Sequence, residues 1–382
     1  MSSPLVFPQS AIVGSLGELA RCYARGNECP EEFYFATALT LLGSRCARAR
    51  DLRLEGVGLG IEPRLYTILL GASANAKKST AVKLMVEFFQ TCPSFHPLDI
   101  IHGAGSGEGL ARELESHPTL TIIFDELAMF LDKTQQKGSV LLGLITSLYE
   151  QSYWSNPLKD KNKSITITDG HLSLIACSTC ETFDRIWTRE SLNIGILNRL
   201  FLVKGSNTRS VSIPRDPNPD ELAAIRLRIE KQLGRLPLTL DISPEAKARW
   251  DEWYLNRPKS QYSKRLDIIG IKLWGLIALI TDKSEIDKEV IETVIQIIDY
   301  EFELRKEVDP IDADNEIAKM QGKIRNALSG ELTKRELQRK VHYEKLGIPL
   351  FKMALDSLIE NGEVGLIAST GKYHLNPTGP KT

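Results

Sequence analysis

Short apolar runs alternate with amphipathic segments through the middle of the chain. The apolar runs predict strands buried on both faces, because they are short and end in small or polar residues. They are Tyr66–Leu70, Asp99–His102, Thr121–Asp125, His171–Cys177 and the run that ends at Val203. Helical periodicity follows in Ser79–Gln90, Gly107–His117 and Val140–Tyr149. This rhythm predicts an α/β fold in which helices cover both faces of a parallel sheet.

Helical patterns flank this core on both sides. Two helices are predicted between Ser10 and about Arg50, with Pro30 at the start of the second. After a proline-rich linker at residues 214–219, four more helices are predicted. They cover Asp220–Leu233, Ser243–Asn256, Asp267–Thr281 and Asp287–Val308. The domains expected up to this point are an N-terminal helical collar (1–60), an α/β core (61–210) and an α-helical lid (211–308).

The last part of the chain, residues 309–382, has a pattern of its own. Three helices precede an alternating stretch with a glycine in its turn, which predicts a β-hairpin. The helices are Ile317–Leu328, Thr333–Lys340 with a Thr-x-x-Glu capping box, and Pro349–Glu360, and the hairpin is Gly362–Leu375. Three helices and a hairpin predict a winged helix. Such a module binds duplex DNA or a protein, and Lys345 and Lys352 are too few basic residues to decide between them.

Composition and charge narrow the function classes. Of 382 residues, 42% are hydrophobic and 25% are charged, as in an ordinary globular protein. The net charge of −1 means that nucleic-acid binding needs a local basic patch. No apolar run is long enough to span a membrane and the first residues have no signal-peptide pattern, so we expect a cytoplasmic protein without a membrane partner. The six cysteines lack a disulfide framework, and Cys177-x-x-Cys180 has no second pair that would complete a zinc site.

The first strand runs into a loop of small residues that ends in Lys-Lys-Ser-Thr. Small residues let backbone N–H groups close around an anion, and the next helix points its positive end at the same place. The candidate nucleotide-binding residues are Gly71, Ala72, Ser73, Ala74, Asn75, Ala76, Lys77, Lys78, Ser79 and Thr80. Lys78 would reach the β- and γ-phosphates of ATP, and Ser79 would offer its hydroxyl to Mg²⁺.

The loop departs from the G-x-x-x-x-G-K-[ST] pattern, and two registers are open. Counted back from Lys78, Lys77 and Ala72 stand in the places of the two glycines. Counted forward from Gly71, the loop has one extra residue before the Lys-Ser pair. The alternative to a phosphate site is a basic helix start that follows a strand by chance.

The strand that ends at residue 125 carries two carboxylates. Asp125 would hold Mg²⁺ through water, and Glu126 would polarise the attacking water. Acids after a strand also cap helices, which is the alternative. However, a Lys-Ser-Thr loop followed about 45 residues later by a strand that ends in Asp-Glu is rarer by chance than either motif alone. Together the two motifs predict an ATPase.

A lysine-rich hairpin is expected between the acidic pair and the next core strand. Ser164–Thr168 alternates like a strand, and the segment before it, Leu158–Lys163, is short, polar and basic. The predicted tip carries Lys159, Lys161 and Lys163. A solvated surface turn is the alternative.

Four further residues have an expected role near the phosphates. Ser178 or Thr179, after a core strand, can orient the attacking water or be an ordinary turn residue. Arg199 precedes a strand and is either a surface cation or an arginine finger for a neighbouring subunit. Arg265 precedes the apolar lid helix and could turn inward to the nucleotide.

These motifs together resemble the AAA+ ATPases, and within them the helicase-like proteins of phages, plasmids and integrated elements that relate to the MCM and superfamily III helicases. The resemblance covers about residues 5–310. It is carried by Lys77–Thr80, by FDE at 124–126, by SGEGL at 106–110, by the lysine hairpin before LSLIACST and by NRLFLV at 198–203. It implies an AAA+ parallel-sheet P-loop core with an α-helical lid. It also implies DNA contacts at Lys159, Lys161 and Lys163, a sensor at Ser178 or Thr179, a trans-acting finger at Arg199 and a lid sensor at Arg265.

The function that the resemblance implies is an ATP- and Mg²⁺-dependent DNA helicase or translocase. It would work as a homo-oligomeric ring, expected to be a hexamer, on single-stranded or forked DNA in replication of a mobile genetic element. A primase or another replication protein would be a separate partner chain. One alternative is an ATP-switched assembly or loading factor that unwinds nothing. A small-molecule kinase is another, but the Asp-Glu pair, the arginine before a strand and the terminal winged helix speak against it.

Overall fold

The structure is a computed structural model that describes most of the chain. The described residues are 5–47, 50–72, 76–134, 139–157, 164–186, 195–207, 209–260, 262–308, 316–328, 330–341, 348–367 and 369–376. They divide into two compact units, residues 1–308 and 309–382, each with its own hydrophobic core. The second unit begins at the residue where the sequence pattern placed the last domain.

The elements of the first unit follow the order expected from the sequence, with short additions. The strands are β1 (Leu52–Leu54), β2 (Tyr66–Leu70), β3 (Ile100–His102), β4 (Thr119–Phe124), β5 (Trp154–Asn156), β6 (Ile165–Ile167), β7 (His171–Ser178), β8 (Leu200–Lys204) and β9 (Leu238–Leu240). The helices are α1 (Gly14–Ala24), α2 (Glu31–Ala47), α3 (Lys78–Gln90), α4 (Gly107–Ser116), α5 (Leu127–Thr134), α6 (Leu141–Leu148), α7 (Cys180–Ile186), α8 (Pro219–Leu233), α9 (Pro244–Asn256), α10 (Leu266–Ile280) and α11 (Lys288–Glu307). The parallel pair β1–β9 and the helices α5 and α7 were not predicted, because such short elements carry too little periodicity.

A five-stranded parallel sheet forms the centre of this unit. Its strand order is β3-β4-β7-β2-β8, and every neighbouring pair is parallel. All residues of β2 and β7 are buried, which explains why apolar residues lie on both faces of these strands instead of on one. The predicted α/β class with a parallel sheet is confirmed.

Helices cover both faces of the sheet. On one face α2 lies against the strands, and the Thr40 and Thr67 hydroxyls are 2.6 Å apart. On the other face the Tyr66 hydroxyl of β2 donates a hydrogen bond of 2.8 Å to the Ile145 carbonyl of α6. Nearly every residue of α2 is buried. This helix therefore forms a layer of the core on one face of the sheet.

The last helix of the unit, α11, covers the edge strand β8. The Leu202 amide donates to Glu301 Oε2 (2.9 Å), and the Lys204 amide donates to the Tyr300 hydroxyl (2.9 Å). An edge strand exposes unpaired N–H groups, and these two side chains supply their acceptors. The helices expected as a lid are thus fastened directly to the sheet.

The second unit contains three helices and a small antiparallel sheet. The helices are α12 (Glu316–Ala327), α13 (Lys334–Lys340) and α14 (Ile348–Glu360), and the strands are β10 (Leu332–Thr333), β11 (Val364–Ile367) and β12 (Lys372–Leu375), in the order β10-β12-β11. The predicted capping box is present, because Thr333 accepts from the Glu336 amide and Glu336 accepts from the Thr333 amide. Three helices and a hairpin were expected, and β10 was missed because it has only two residues.

None of the helices in the described parts of the chain is both long and apolar enough to cross a lipid bilayer.

Candidate nucleotide site

The site expected from the sequence lies at the carboxyl edge of the parallel sheet. Strand β7 stands between β2 and β4, with Leu70 opposite Ser178 and Phe124 opposite Ala176. The connection after β2 leads to β3 at one end of the strand order, and the connection after β7 leads to β8 at the other end. Ligands of open parallel sheets bind at such a reversal, outside the carboxyl ends of the strands. The loop after β2 and the acids after β4 therefore flank the preferred place for a ligand.

Lys78 is the first residue of α3 and folds back over the loop. Its Nζ donates to the carbonyls of Gly71 (2.8 Å) and Ala72 (3.2 Å). Burial lowers the pKa of Lys78, and the nearby Cys177 and Glu126 oppose this shift. Ser79 and Thr80 follow in the first turn and are exposed. The loop residues Ser73, Ala74 and Asn75 lie outside the described residues.

Lys77 has the backbone conformation of a glycine. Its φ is +49° and its ψ is +31°, in the left-handed region, and it directly precedes Lys78. The second glycine of a phosphate loop occupies this position, so Lys77 stands in its place. Counted back from Lys78, the first glycine of the G-x-x-x-x-G-K-[ST] pattern would be residue 72. The glycine in a tightly packed position is Gly71, one residue earlier. Between Gly71 and Lys78 the loop has one more residue than G-x-x-x-x-G-K-[ST]. The backbone of Lys77 agrees with the register counted back from Lys78, the packing of Gly71 agrees with the one counted forward, and both registers stay open.

We expect Lys77→Gly to stabilise the protein by about 1 kcal/mol. Relief of the left-handed conformation is worth about 1–2 kcal/mol, and the added freedom of glycine in the unfolded chain offsets about 0.5–1 kcal/mol of it. Urea unfolding measures the difference. The control is Lys83→Gly in the interior of the same helix, which should cost about 1 kcal/mol. Equal losses at both positions would contradict the assignment of strain to Lys77.

Gly71 is held in a space that admits no side chain. A Cβ built on it would lie 2.7 Å from Ala76 Cβ, 2.9 Å from the Gly205 carbonyl oxygen and 3.3 Å from Phe33 Cζ. Its amide donates to the Ser178 carbonyl (3.2 Å), and the Gly205 amide donates to the Leu70 carbonyl (2.9 Å). The loop is thus anchored between β7 and the end of β8.

We expect Gly71→Ala to destabilise the protein by about 1–3 kcal/mol, because the new methyl group overpacks the start of the loop. The matched control is Gly143→Ala in α6, where an added Cβ meets nothing within 4 Å. That change should gain about 0.5–1 kcal/mol, since alanine favours a helix interior. Thermal unfolding of both variants checks the pair, and a harmless Gly71→Ala would show that the loop opens without cost.

The acidic pair follows β4 directly. Asp125 and Glu126 are both exposed at the carboxyl edge, just before α5 begins at Leu127. His102, at the end of β3, places its Nδ1 3.9 Å from Asp125 Oδ2. The sequence did not point to His102, because the contact depends on the register that sets His102 beside Ile123.

Cys177 lies between the two motifs, because it is opposite Leu69 of β2 and follows Ala176, which is opposite Phe124 of β4. Burial raises the pKa of this thiol to about 12; Lys78 lowers it, Asp125 raises it, a hydrogen bond with Ser79 lowers it and Glu126 raises it. Lys78, Ser79, Asp125 and Glu126 thus all influence the pKa of this thiol, in agreement with the strand register that places Cys177 between the ends of β2 and β4. Sequence reasoning had set Cys177 aside with its Cys-x-x-Cys pair. Nothing in its apolar strand context indicated that it marks the middle of the site.

The two sensor candidates differ in their partners. The Thr179 hydroxyl accepts from the Thr182 amide (3.0 Å) and donates to the Thr182 hydroxyl (2.8 Å), so it caps α7. Ser178 is buried, its hydroxyl donates to the Thr179 carbonyl (3.1 Å), and its own carbonyl holds Gly71. Ser178 is the candidate that lies directly beside the phosphate loop.

Arg199 and Arg265 lie at the opposite edge of the sheet. Leu200, which follows Arg199, is paired with Tyr66 at the start of β2. Arg199 Nη1 donates to the Gly195 carbonyl (2.8 Å), and its side chain is only 12% exposed, so it is not a surface cation. Arg265 Nη1 forms an ion pair with Glu150. A strand of this length separates both arginines from the phosphate loop by about 13 Å, so the structure does not bring Arg265 to the chain's own nucleotide site.

The lysine hairpin is described only at its base. Strands β5 and β6 pair antiparallel, with Trp154 opposite Ile167, as a hairpin requires. Lys159, Lys161 and Lys163 lie outside the described residues.

No protein-family model matches this sequence, and no curated protein matches it either.

Proposed function

We propose that the protein is a Mg²⁺-dependent ATPase that acts as a ring-forming DNA translocase or helicase. The observation that carries the proposal is the strand order, which places the loop with Lys78 and Ser79 after β2 and the acids Asp125 and Glu126 after β4 on the two sides of the carboxyl end of β7. A cation, a hydroxyl and two carboxylates, one set on each side of β7, are the groups that phosphoryl transfer to water requires.

The residues at this edge fit ATP and Mg²⁺. Ser79 and Asp125 are exposed oxygen donors suited to a hard divalent cation, which would neutralise phosphate charge when bound. Lys78 Nζ already lies against the Gly71 and Ala72 carbonyls, inside the loop that would surround the phosphates. Glu126 is exposed beside it and would hold a water for attack on the γ-phosphate, with Ser178 as the polar group at the end of β7.

The opposite edge supports a multimer. Arg199 and Arg265 lie together, far from the chain's own phosphate loop, and share Glu150. Two arginines in such a place can contact the phosphates of a second copy but not those of their own chain. In a ring, the arginine edge of one subunit would face the phosphate loop of the next, so both edges of the sheet would contribute to each ATP site. The expected ring is a hexamer.

The β5–β6 hairpin favours DNA as the ligand along which the protein moves. Its two strands lie between β4 and β7 along the chain, and the lysine-rich segment 158–163 connects them in sequence. Lysines at such a tip would hold the phosphates of a single strand, and binding should therefore weaken steeply with salt.

The test is ATP turnover with and without single-stranded DNA. We expect DNA to stimulate the wild type, and we expect the triple change of Lys159, Lys161 and Lys163 to alanine to abolish that stimulation. The charge-matched control changes three exposed helix lysines, Lys231, Lys247 and Lys288, to alanine and should keep it.

A mixing experiment tests the shared site. Arg199→Ala and Glu126→Gln should each be inactive alone, whereas their mixture should regain turnover because some interfaces then combine an intact Glu126 with an intact Arg199. Strand displacement by the purified protein separates a helicase from a loading factor. If ATP turnover is unchanged by DNA and by the hairpin lysine substitutions, the translocase proposal is wrong and the loading factor is favoured.

A further inference from the structure

Glu150 joins the two arginines at the amino edge of the sheet. It lies just after α6, with Oε2 3.6 Å from Arg199 Nη2 and Oε1 paired with Arg265 Nη1. Its side chain is 42% exposed, whereas those of Arg199 and Arg265 are 12% and 32% exposed. One accessible carboxylate thus neutralises two less accessible guanidinium groups from distant parts of the chain.

The residues next to Glu150 form the base of the β5–β6 hairpin. Arg64 Nη1 donates to the Leu148 carbonyl (2.7 Å) and to the Gly170 carbonyl (3.3 Å), one on each side of the hairpin. The Gly170 amide donates to the Ser152 carbonyl (2.7 Å), which closes the base. The buried Arg64 therefore fixes both ends of the hairpin to the strand that leads into the phosphate loop.

Tyr149 connects the same segment to the arginine pair and to α10. The Arg199 guanidinium carbon is 5.9 Å from the centroid of the Tyr149 ring, and Lys272 Nζ of α10 is 4.3 Å from it. Lys272 also lies 3.5 Å from the Tyr149 carbonyl oxygen. Residues 148–152 are thus a packed and hydrogen-bonded connection between the arginines, the lid helix and the hairpin.

We propose that Glu150 is a positioning residue that holds the arginine pair in the isolated subunit and transmits its release to the hairpin. The inference rests on the proposed function. A triphosphate on the neighbouring subunit competes with Glu150 for Arg199 and Arg265, because it carries more negative charge and more acceptor oxygens than one carboxylate. Once both arginines leave, the Glu150 carboxylate turns to water and residues 148–152 shift with it. The hairpin of one subunit thereby responds to the nucleotide of the next.

The test compares Glu150→Gln, Glu150→Asp and wild type. The control is Glu221→Gln, which breaks another partly exposed pair, Arg25–Glu221, with a glutamate of 40% exposure. Two quantities are measured: the protein concentration of half-maximal assembly with a non-hydrolysable ATP analogue and Mg²⁺, by sedimentation, and the stimulation of ATP turnover by single-stranded DNA. Thermal unfolding checks that each variant folds, and Glu150→Ser replaces the glutamine variant if that one does not.

In Glu150→Gln we expect assembly at about fivefold lower concentration, because the arginines no longer have to leave a carboxylate. We also expect DNA stimulation to fall towards one, because the hairpin no longer follows the arginines. Glu150→Asp keeps the charge and should resemble wild type in both. If the wild type hydrolyses ATP and assembles, but Glu150→Gln behaves like Glu221→Gln in both measurements, the proposed role of Glu150 is wrong and the proposed function stands. Wild type that neither hydrolyses ATP nor assembles with the analogue would overturn the proposed function and this role together.

Discussion

Lys78→Ala is expected to reduce ATP turnover by roughly 10²–10³-fold, whereas Lys77→Ala should keep most of it. The two lysines are adjacent, but only Lys78 is directed into the loop, where its Nζ contacts the Gly71 and Ala72 carbonyls. Loss of one preorganised cation or donor at a phosphoryl or oxyanion site has an effect of this size. Lys77 is exposed and contributes through its left-handed backbone.

The measurement is steady-state turnover of both variants at saturating ATP, together with nucleotide affinity by fluorescent-analogue titration. Lys77→Ala is the internal control, because it removes the same charge one residue away and keeps the helix start. Equal losses in both variants would show that bulk positive charge matters more than the position of one amine. A loss of ATP turnover in Lys77→Ala alone would show that Lys77, and not Lys78, is the lysine that acts on the phosphates.

Much of the core was predictable because its strands have no polar face. A run such as Tyr66–Leu70 is apolar along its length only if both faces of the strand are covered, and that requirement already implies a parallel sheet with helices on each side. The positions where such strands end, Gly71 and Asp125, then indicate which loops lie at the carboxyl edge of the sheet. The predicted and observed helices and strands of the core differ by only a few residues at their ends.

The edge at which each arginine lies was not predictable in the same way. Sequence position places Arg199 before a strand and Arg265 before a helix, but the shared partner Glu150 depends on how α6 and α10 pack at the amino edge. Likewise, the packing partner of α2 was not predictable, because a helix that is buried on nearly every side does not reveal which element covers each face. His102 and Cys177 entered the site only through strand register. These contacts are between residues far apart in the chain, and no local pattern encodes them.

The two edges of the sheet have different physical characters. At the carboxyl edge the candidate residues Ser79, Asp125 and Glu126 are exposed, as groups that receive a substrate must be. At the amino edge the charges are largely buried and already paired. Buried pairs of this kind fix geometry more than they add stability, so they suit a surface that must present two arginines at one place.

Arg305 is the residue that fixes both arginine-bearing segments to α11. Its Nη2 donates to the Leu200 carbonyl (3.0 Å), just after Arg199. Its Nη1 donates to the Lys264 carbonyl (2.9 Å), just before Arg265. Its Nε donates to Glu301 (3.0 Å), and the Arg305 and Glu301 side chains are 2% and 0% exposed. Removing this guanidinium leaves a buried carboxylate and several buried carbonyls without their donor.

We therefore expect Arg305→Met to lower the free energy of unfolding by about 3–5 kcal/mol, because the loss of one partner of a buried ion pair leaves the other uncompensated. The control is Arg249→Met, the same change in the half-exposed Arg249–Glu292 pair, which should cost about 1 kcal/mol or less. Urea unfolding of both variants measures the difference.

The deficit of Arg305→Met should also grow with pH. Burial raises the pKa of Glu301 to about 7, and Arg305 is the strongest influence that lowers it. A carboxyl whose folded pKa exceeds its unfolded value stabilises the fold when protonated, and this contribution is lost as pH rises through the folded pKa. Without Arg305 the folded pKa moves higher, so the variant continues to lose stability from about pH 7 to about pH 9, where the wild type has already lost this contribution. A deficit that stays constant over this range would mean that Glu301 reaches water when its partner is removed, and the segment that carries Arg199 would then be held by packing and not by charge.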